Sequence, residues 1–517
     1  MKKVVIIGAG PAGVTAGYEL LKKSKDFDVT ILEESNFIGG IARTAQYNGN
    51  KIDLGGHRFF SKDEEVTAWW NKIMPLQGAP AFDDILTGRK VSLNPDGPNP
   101  EKEDVVLLKR RRVSRIYYKK NFFDYPVKIN LNTIFNMGLL TTAMVGFSYL
   151  KTLVHKLPET SLENFYINRF GKKLYSMFFE DYTEKLWGRH PKEISANWGA
   201  QRVKGLSIVA IFKDIFSKLL PKSPKNVETS LIEEFSYPKL GPGQLWEVAA
   251  NDFERMGGKI IKNAKVIKFK TNKNKFKEVI FIKDGKEISM SADIVISSMP
   301  LKDLAAGLDA IPSKIERIAK GLPYRDYVIV CLMLNKINLK NKTKIKTVNN
   351  LVPDCWIYVQ DRGVKLGRIQ VFNNWSPYMV VNPEKNIWIG LEHFCSEGDK
   401  YWNMSSEEWK AFAIDELLKM GIISSEKDVD DSHIERIKKA YPAYFDTYKD
   451  IDKLTSFLKS FDNLYCIGRN GQHRYNNMDH SMITSFLAVR HILGELKDKN
   501  EIWNVNVEKE YHESATE

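Results

Sequence analysis

Val4-Val5-Ile6-Ile7 is an unbroken apolar run, the pattern of a strand buried on both faces. Residues 14–22 then place apolar side chains at helical spacing, and a second apolar run at 29–32 ends at Glu33. The pattern predicts strand, helix, strand. Alternation over 105–118 predicts strands, with 121–126 as the turn that closes them. From 131 to 220 the periodicity is helical, with long amphipathic pieces over 162–187, and 219–224 reads as a loop. Gly241-Pro242-Gly243 precedes a helix over 244–256, and short strands follow at 259–261, 264–269 and 278–282, with a turn at Asp284-Gly285. Residues 292–298 predict a buried strand, those at 328–334, 356–359, 367–372 and 387–391 a mixed sheet, and 485–496 a closing helix.

The first apolar run leads into Gly8-Ala9-Gly10-Pro11-Ala12-Gly13. Between a strand and a helix this spacing has a mechanical reading: Gly8 permits the tight turn, Gly10 lets a pyrophosphate approach the backbone, and Gly13 lets the helix pack closely. The phosphate then sits on the helix N-terminus, where Ala12 lies in the first turn. Glu33, at the end of the second strand, is placed to accept hydrogen bonds from both ribose hydroxyls and would repel the extra phosphate of NADP. Gly39-Gly40 with Arg43, and Asp53-Leu54-Gly55-Gly56-His57, lie close downstream. Two glycine pairs so near the first unit suit a cofactor longer than one nucleotide reader needs, which favours FAD over NAD. His57 follows glycines that clear space for a flat cofactor; the alternative is a packed histidine.

Composition narrows the rest. A chain of 517 residues exceeds what one core holds, and 43% hydrophobic with 27% charged residues describes an ordinary folded protein. The net charge of +13, from 77 basic and 64 acidic residues, is spread along the chain rather than gathered in an arm. Such a surface raises encounter rates with anionic substrates, or is simply solvated. No basic-aromatic module or DNA-reading motif is present, so nucleic acid is not expected as a partner. Cys331, Cys355, Cys395 and Cys466 lie far apart in apolar settings and read as reduced core residues. Without His-Glu-x-x-His, paired cysteine ligands or a Gly-x-Ser-x-Gly elbow, neither a metal site nor acyl transfer is expected. The apolar stretch 137–150, only 14 residues long, is too short to span a bilayer; a buried helix is expected there, with peripheral membrane contact left open. No export signal precedes the first strand, which predicts a cytoplasmic location.

The order of these motifs resembles that of the FAD-linked superfamily of amine oxidases and protoporphyrinogen oxidases, and most closely the UDP-galactopyranose mutase family. The general likeness covers nearly the whole chain; the mutase likeness is concentrated in five segments. Gly55-Gly56-His57-Arg58-Phe59-Phe60 looks like the segment whose histidine lies by the flavin, and 123–133 resembles the Tyr-Pro-rich entry into a helical domain. Residues 178–193 look like the segment whose tyrosine and tryptophan, here Tyr182 and Trp187, belong to the nucleotide-sugar cleft. Arg202 stands one residue later than the family's diphosphate arginine, and Tyr324-Arg325 resembles the pair that brings the second. Residues 468–479 look like the closing segment: Arg469 at the FAD phosphates, Tyr475 at the substrate phosphates, and Met478 starting the helix beneath the flavin. His473 replaces the family's tyrosine, and Arg58 an apolar neighbour of the histidine. By themselves Tyr182 and Trp187 read equally well as core aromatics.

The resemblance implies an α/β protein with a Rossmann-like FAD-binding fold of the glutathione reductase type. Its FAD domain would be assembled from 1–100, 230–305 and 460–500, with an inserted helical domain at 130–225 and a mixed-sheet substrate domain from 105–129 plus 306–455. Implied cofactor contacts are Gly8, Gly10, Ala12, Gly13, Glu33, Gly40, Arg43, Gly56, His57, Val266, Gly468, Arg469 and Met478. Implied catalytic residues are His57, Arg202, Arg325 and Tyr475; implied substrate contacts are Tyr182, Trp187, Tyr324, Tyr358 and His473. The implied reaction interconverts pyranose and furanose forms of a nucleotide-diphosphate sugar for cell-surface glycan synthesis. In it N5 of reduced FAD attacks the anomeric carbon while the arginines hold the displaced diphosphate. NAD(P)H is a candidate external reductant, and a monomer or homodimer is expected. The departures at His473 and Arg58 point to a sugar other than galactose. The alternative is an FAD-dependent oxidoreductase of the amine oxidase or desaturase type, acting on a small or lipid-like substrate in an apolar tunnel that 139–149 would line.

Overall fold

The computed structural model describes residues 1–125, 131–196 and 234–506. These divide into two compact units, one of 1–109, 236–325 and 437–506, the other of the described residues within 110–235 and 326–436.

In the first unit, strand β1 (Lys2–Ile7), helix α1 (Pro11–Lys23) and strand β2 (Phe27–Leu32) follow one another as the pattern predicts. Strands β3 (Lys259–Ile261), β4 (Ile294–Ser297) and β5 (Leu464–Cys466) complete a parallel sheet in the order β5-β4-β1-β2-β3. The apolar run in β1 is unbroken because both faces are covered. Val4 and Ile6 join a core that includes Leu20 of α1 and Phe486, while Val5 and Ile7 join another with Phe269 and Leu304. Burial of each of these four side chains stabilises the fold by about 1.5 to 3 kcal/mol.

A three-stranded antiparallel sheet, Lys265–Asn272, Lys275–Lys283 and Lys286–Ser291, belongs to the same unit. Its second hairpin turns at Asp284 and Gly285, both at positive φ (50° and 72°), as the tight Asp-Gly signal requires. Residues 306–325, which the sequence assigns to the mixed-sheet domain, pack in this first unit instead. Ile318, Ala319 and Leu322 bury against the core of Phe269 and Phe276. The closing helix α2 (Met478–Ile492) starts well before 485, because Asn477 caps it: the Asn477 side chain meets the His480 N–H, and His480 Nδ1 accepts from the Asn477 N–H.

The second unit holds most of a seven-stranded mixed sheet, whose residues 324–325 and 437–442 count with the first. Its order is Val429–Pro442, Tyr324–Leu334, Ile387–Cys395, Arg368–Val371, Trp356–Val359, Ser114–Tyr118, Asn121–Asp124. Trp356–Val359 pairs parallel with Ser114–Tyr118, and Tyr324–Leu334 antiparallel with Ile387–Cys395. Residues 121–124, expected to form part of a turn, do not. Asn121–Asp124 is the edge strand and the chain reverses at Lys119 and Lys120, with φ of 49° and 62°. Aromatic pairing decides it, since Tyr117 and Phe122 meet edge-to-face at 5.3 Å across the hairpin. Helix Ser406–Met420, which the pattern does not announce, covers one face of the sheet with Trp409, Ala413 and Leu417. Helices Leu131–Met137, Leu139–Val154, Leu162–Phe178 and Glu180–Trp187 occupy the region predicted to be helical. The four cysteines are buried thiols. Among the described residues no helix is long and apolar enough to cross a membrane.

Candidate cofactor and substrate site

The glycine turn after β1 leaves no room for other residues. Gly8 has φ 95°, and a Cβ there would lie 2.3 Å from Ser298 Oγ; a Cβ on Gly13 would lie 1.9 Å from the Gly8 carbonyl oxygen. Gly10 and Gly40 face one another, with a Cβ on Gly40 only 3.2 Å from Gly10 Cα. The Gly39 N–H donates to the Ala9 carbonyl at 2.9 Å, which ties the second glycine pair to the first turn. Helix α1 begins with Gly10 as N-cap and Pro11 at N1, with no side-chain cap and no acidic residue in the first turn. Its N-terminal amides are therefore available to an anion.

Glu33 is held at the end of β2. Its Oε2 accepts from the Ala9 N–H at 2.8 Å, and its Oε1 from the Ser35 N–H at 2.9 Å and the Ser35 hydroxyl at 2.7 Å. A carboxylate has lone pairs left over after three such bonds, so it can still accept from ribose hydroxyls. Three supporting residues escape the sequence pattern. Ser298 donates from both N–H and Oγ to the Ile7 carbonyl (3.0 and 2.8 Å) and packs over Gly8. Thr484 Oγ1 accepts from the Gly468 N–H at 2.9 Å, and Ser485 Oγ donates to the Ala12 carbonyl at 2.8 Å. Their only signal is the small polar pair after a buried strand, and a polar pair on the buried face of α2.

His57 is partly exposed, but its Nδ1 is buried without a hydrogen-bond partner. Burial, and after it the positive charge of Arg469, push the ring down to about 3, against a smaller opposing effect of the Gly55 backbone. It is a neutral ring with an orphaned nitrogen. Arg469 spends Nε on the Asn476 carbonyl (2.7 Å) and Nη1 on the Ala440 carbonyl (3.0 Å), and lies over the Tyr475 ring at 4.7 Å. Tyr475 in turn stacks on Tyr441 at 5.5 Å. Gly468, at φ 76°, abuts Ala12, where a Cβ would come within 2.9 Å of the alanine's. Arg43 lies over the Phe37 ring at 4.8 Å, and Gly56 is partly exposed between Gly55 and His57. Val266 and Met478 are buried in the two cores on opposite faces of the parallel sheet.

Two of the expected substrate residues are almost fully buried. His473 is 1% exposed; its Nε2 meets the Ala443 carbonyl at 3.1 Å and its ring stands edge-on to Tyr324 at 4.7 Å. Trp187 is 2% exposed and is a core aromatic. Arg325, 6% exposed, opens its strand directly after Tyr324. Arg202 lies outside the described residues, as do 126–130 and the predicted loop at 219–224. In the second unit Tyr358 is the centre of a ring cluster: it stacks on Tyr125 (4.3 Å) and Trp356 (5.6 Å) and meets Tyr182 edge-to-face at 5.7 Å. Arg368, paired with Glu392 at 2.8 Å, lies over Trp356 at 4.7 Å.

A parallel sheet with a glycine turn facing uncapped helix amides, a strand-end carboxylate and a second glycine pair define a dinucleotide-binding protein of the flavoprotein class. The chain belongs to the flavin containing amine oxidoreductase family, whose model matches residues 11–470. Its fold is similar to that of reduced UDP-galactopyranose mutase, with a TM-score of 0.77 and 20% identity over 99% of this chain and 100% of that one. It is also similar to a putative protoporphyrinogen oxidase from Exiguobacterium sp. 255-15, with a TM-score of 0.65 and 16% identity over 96% and 99% of the two chains. By sequence it is 26% identical over 205 residues, 38% of its length, to dTDP-fucopyranose mutase of Escherichia coli. It is 36% identical over 66 residues, 13% of its length, to coproporphyrinogen III oxidase of Staphylococcus aureus (strain NCTC 8325 / PS 47). The matches span 45% and 14% of these two relatives, less than half of either.

Proposed function

We propose that the protein is a flavin-dependent mutase that interconverts the pyranose and furanose forms of a nucleotide-diphosphate sugar. One observation carries the reading: a sequence comparison and a structural comparison each reach a mutase whose name is that of a nucleotide-linked pyranose. FAD, when bound and reduced, supplies the nucleophile for the sugar's anomeric carbon. The residues present fit that cofactor. The amides at the start of α1 and the facing glycines Gly10 and Gly40 hold its pyrophosphate, Glu33 its ribose, and the orphaned Nδ1 of neutral His57 gains a polar neighbour. Arg469 has donors left over for a phosphate beyond the two it gives to carbonyls.

On the substrate side, Arg325 holds the diphosphate as it leaves, because a guanidinium fork fits phosphate oxygens better than an ammonium does. Stabilising that leaving charge is the protein's largest catalytic contribution. Tyr475 of the same unit supplies a hydroxyl to the nucleotide sugar. The apolar tunnel on which an oxidoreductase reading would rest is not supported, since Leu139, Leu140, Met144 and Phe147 are exposed rather than lining an interior.

The test is anaerobic. The flavoprotein is reduced with dithionite, mixed with UDP-, GDP- and dTDP-sugars, and the products separated by chromatography. A ring isomer formed only with reduced enzyme is the expected result. Bleaching of the oxidised flavin by an amine, an alcohol or a porphyrinogen, with no sugar isomerised, would replace the mutase by an oxidoreductase. Arg325→Ala should weaken nucleotide-sugar binding about tenfold or more, about 1.4 kcal/mol, with flavin retained; unchanged binding removes Arg325 from the diphosphate site.

A further inference from the structure

The sequence predicts a buried helix over 137–150, but only one face of helix Leu139–Val154 is buried. Its inner face, Val145, Tyr149 and Thr152, packs on helix Leu162–Phe178. Gly171, at φ 77°, makes the approach close: a Cβ there would lie 2.9 Å from the Tyr149 amide nitrogen, and Ser148 Oγ accepts from the Lys173 N–H at 2.9 Å. Among the described residues nothing comparable packs on the outer face. Leu140 (83%), Phe147 (75%) and Val154 (91%) are largely exposed, along with Leu139, Met144 and Leu150, at the three- and four-residue spacing of one helix face. A contiguous exposed apolar stripe on an otherwise polar protein marks an interaction surface.

The charge around the stripe selects the partner. From 131 to 156 the sequence holds Lys151, His155 and Lys156 and no acidic residue, and the exposed Lys151 and His155 lie at the end of the stripe. The whole chain carries +13. A helix with bulky apolar side chains outward and basic residues at its end is suited to lie in the headgroup region of an anionic bilayer. At 16 residues it is too short to span one. We propose that the outward face of helix Leu139–Val154 docks the protein on an anionic lipid surface, with Phe147, Leu140 and Leu150 entering the interface and Lys151 meeting lipid phosphates. The proposal is independent of the reaction assigned above.

The FAD-loaded full chain is floated with vesicles of phosphatidylcholine alone and of phosphatidylcholine mixed with phosphatidylglycerol. It should rise with the mixed vesicles, less with phosphatidylcholine alone, and come off partly in high salt. Leu140→Glu combined with Phe147→Glu should weaken partitioning about tenfold or more, with flavin absorbance and circular dichroism unchanged; Lys151→Glu should weaken it less. Absence of flotation of the unsubstituted protein with either vesicle overturns the proposal. So does a stable dimer in light scattering that binds no lipid and that the double substitution dissociates, which would make the face a seam between two copies.

Discussion

Two histidines of the first unit are held neutral by their surroundings, and the consequence is measurable. An unfolded histidine takes up its proton near 6.5, whereas burial pushes His57 down to about 3 and His473 to about 4. Between 6.5 and those values the unfolded chain binds more protons than the folded one, so stability falls as pH falls through that window. Each ring contributes a slope of up to about 1.4 kcal/mol per pH unit. His473→Asn should make urea-derived stability less steep in pH over this range, and asparagine tolerates the positive φ of 47° at this position. An unchanged slope would mean that the native ring already exchanges its proton with water. At this scale the sequence is legible where function depends on backbone room, as at Gly8, Gly10 and Gly13, or on a strand-end carboxylate, as at Glu33. It is silent on Ser298, whose place over Gly8 comes from a strand nearly 300 positions away.

Lys185 sets the geometry of an element rather than of one residue. Its Nζ donates to the carbonyls of Asp361 (2.8 Å), Leu366 (3.2 Å) and Val359 (3.5 Å), fixing helix Glu180–Trp187, which carries Tyr182, to the segment that follows the strand carrying Tyr358. Burial pushes its pKa down to about 8, with Glu416, Asp361 and Asp181 acting the other way. Lys185→Met keeps the apolar stem and leaves buried carbonyls unsatisfied, so a loss of about 1 to 3 kcal/mol in urea unfolding is expected. No measurable loss would show that water replaces the ammonium. Helix and strand existence is read well from periodicity, because it depends on neighbours three or two positions apart. From sequence, Asn121–Asp124 reads as a turn because Asn, Asp and Pro are turn residues, while the aromatic pairing that makes it a strand is cross-strand.

For the molecule as a whole, the cofactor couples function to stability. The proposed FAD contacts come from 8–57, 266 and 468–478, so binding requires the first unit to be assembled from distant segments. Removal of FAD should lower the melting temperature, and titration back should restore it; at one hundred times Kd the gain is about 2.7 kcal/mol. A melting temperature indifferent to FAD would place the flavin contacts outside this unit's folding equilibrium.

What the sequence by itself determined was local: the first strand, glycine turn, helix and acidic strand end, the hairpin at Asp284-Gly285, and the order of motifs that marks the flavin family. These depend on spacing along the chain and on backbone conformations that only certain residues adopt. Tertiary structure decided what is buried. It placed Gly40 opposite Gly10, buried His473 and Trp187, put 306–325 in the first unit, and left the apolar outer face of helix Leu139–Val154 exposed. Burial depends on which distant surfaces meet, and no periodicity within a segment carries that information.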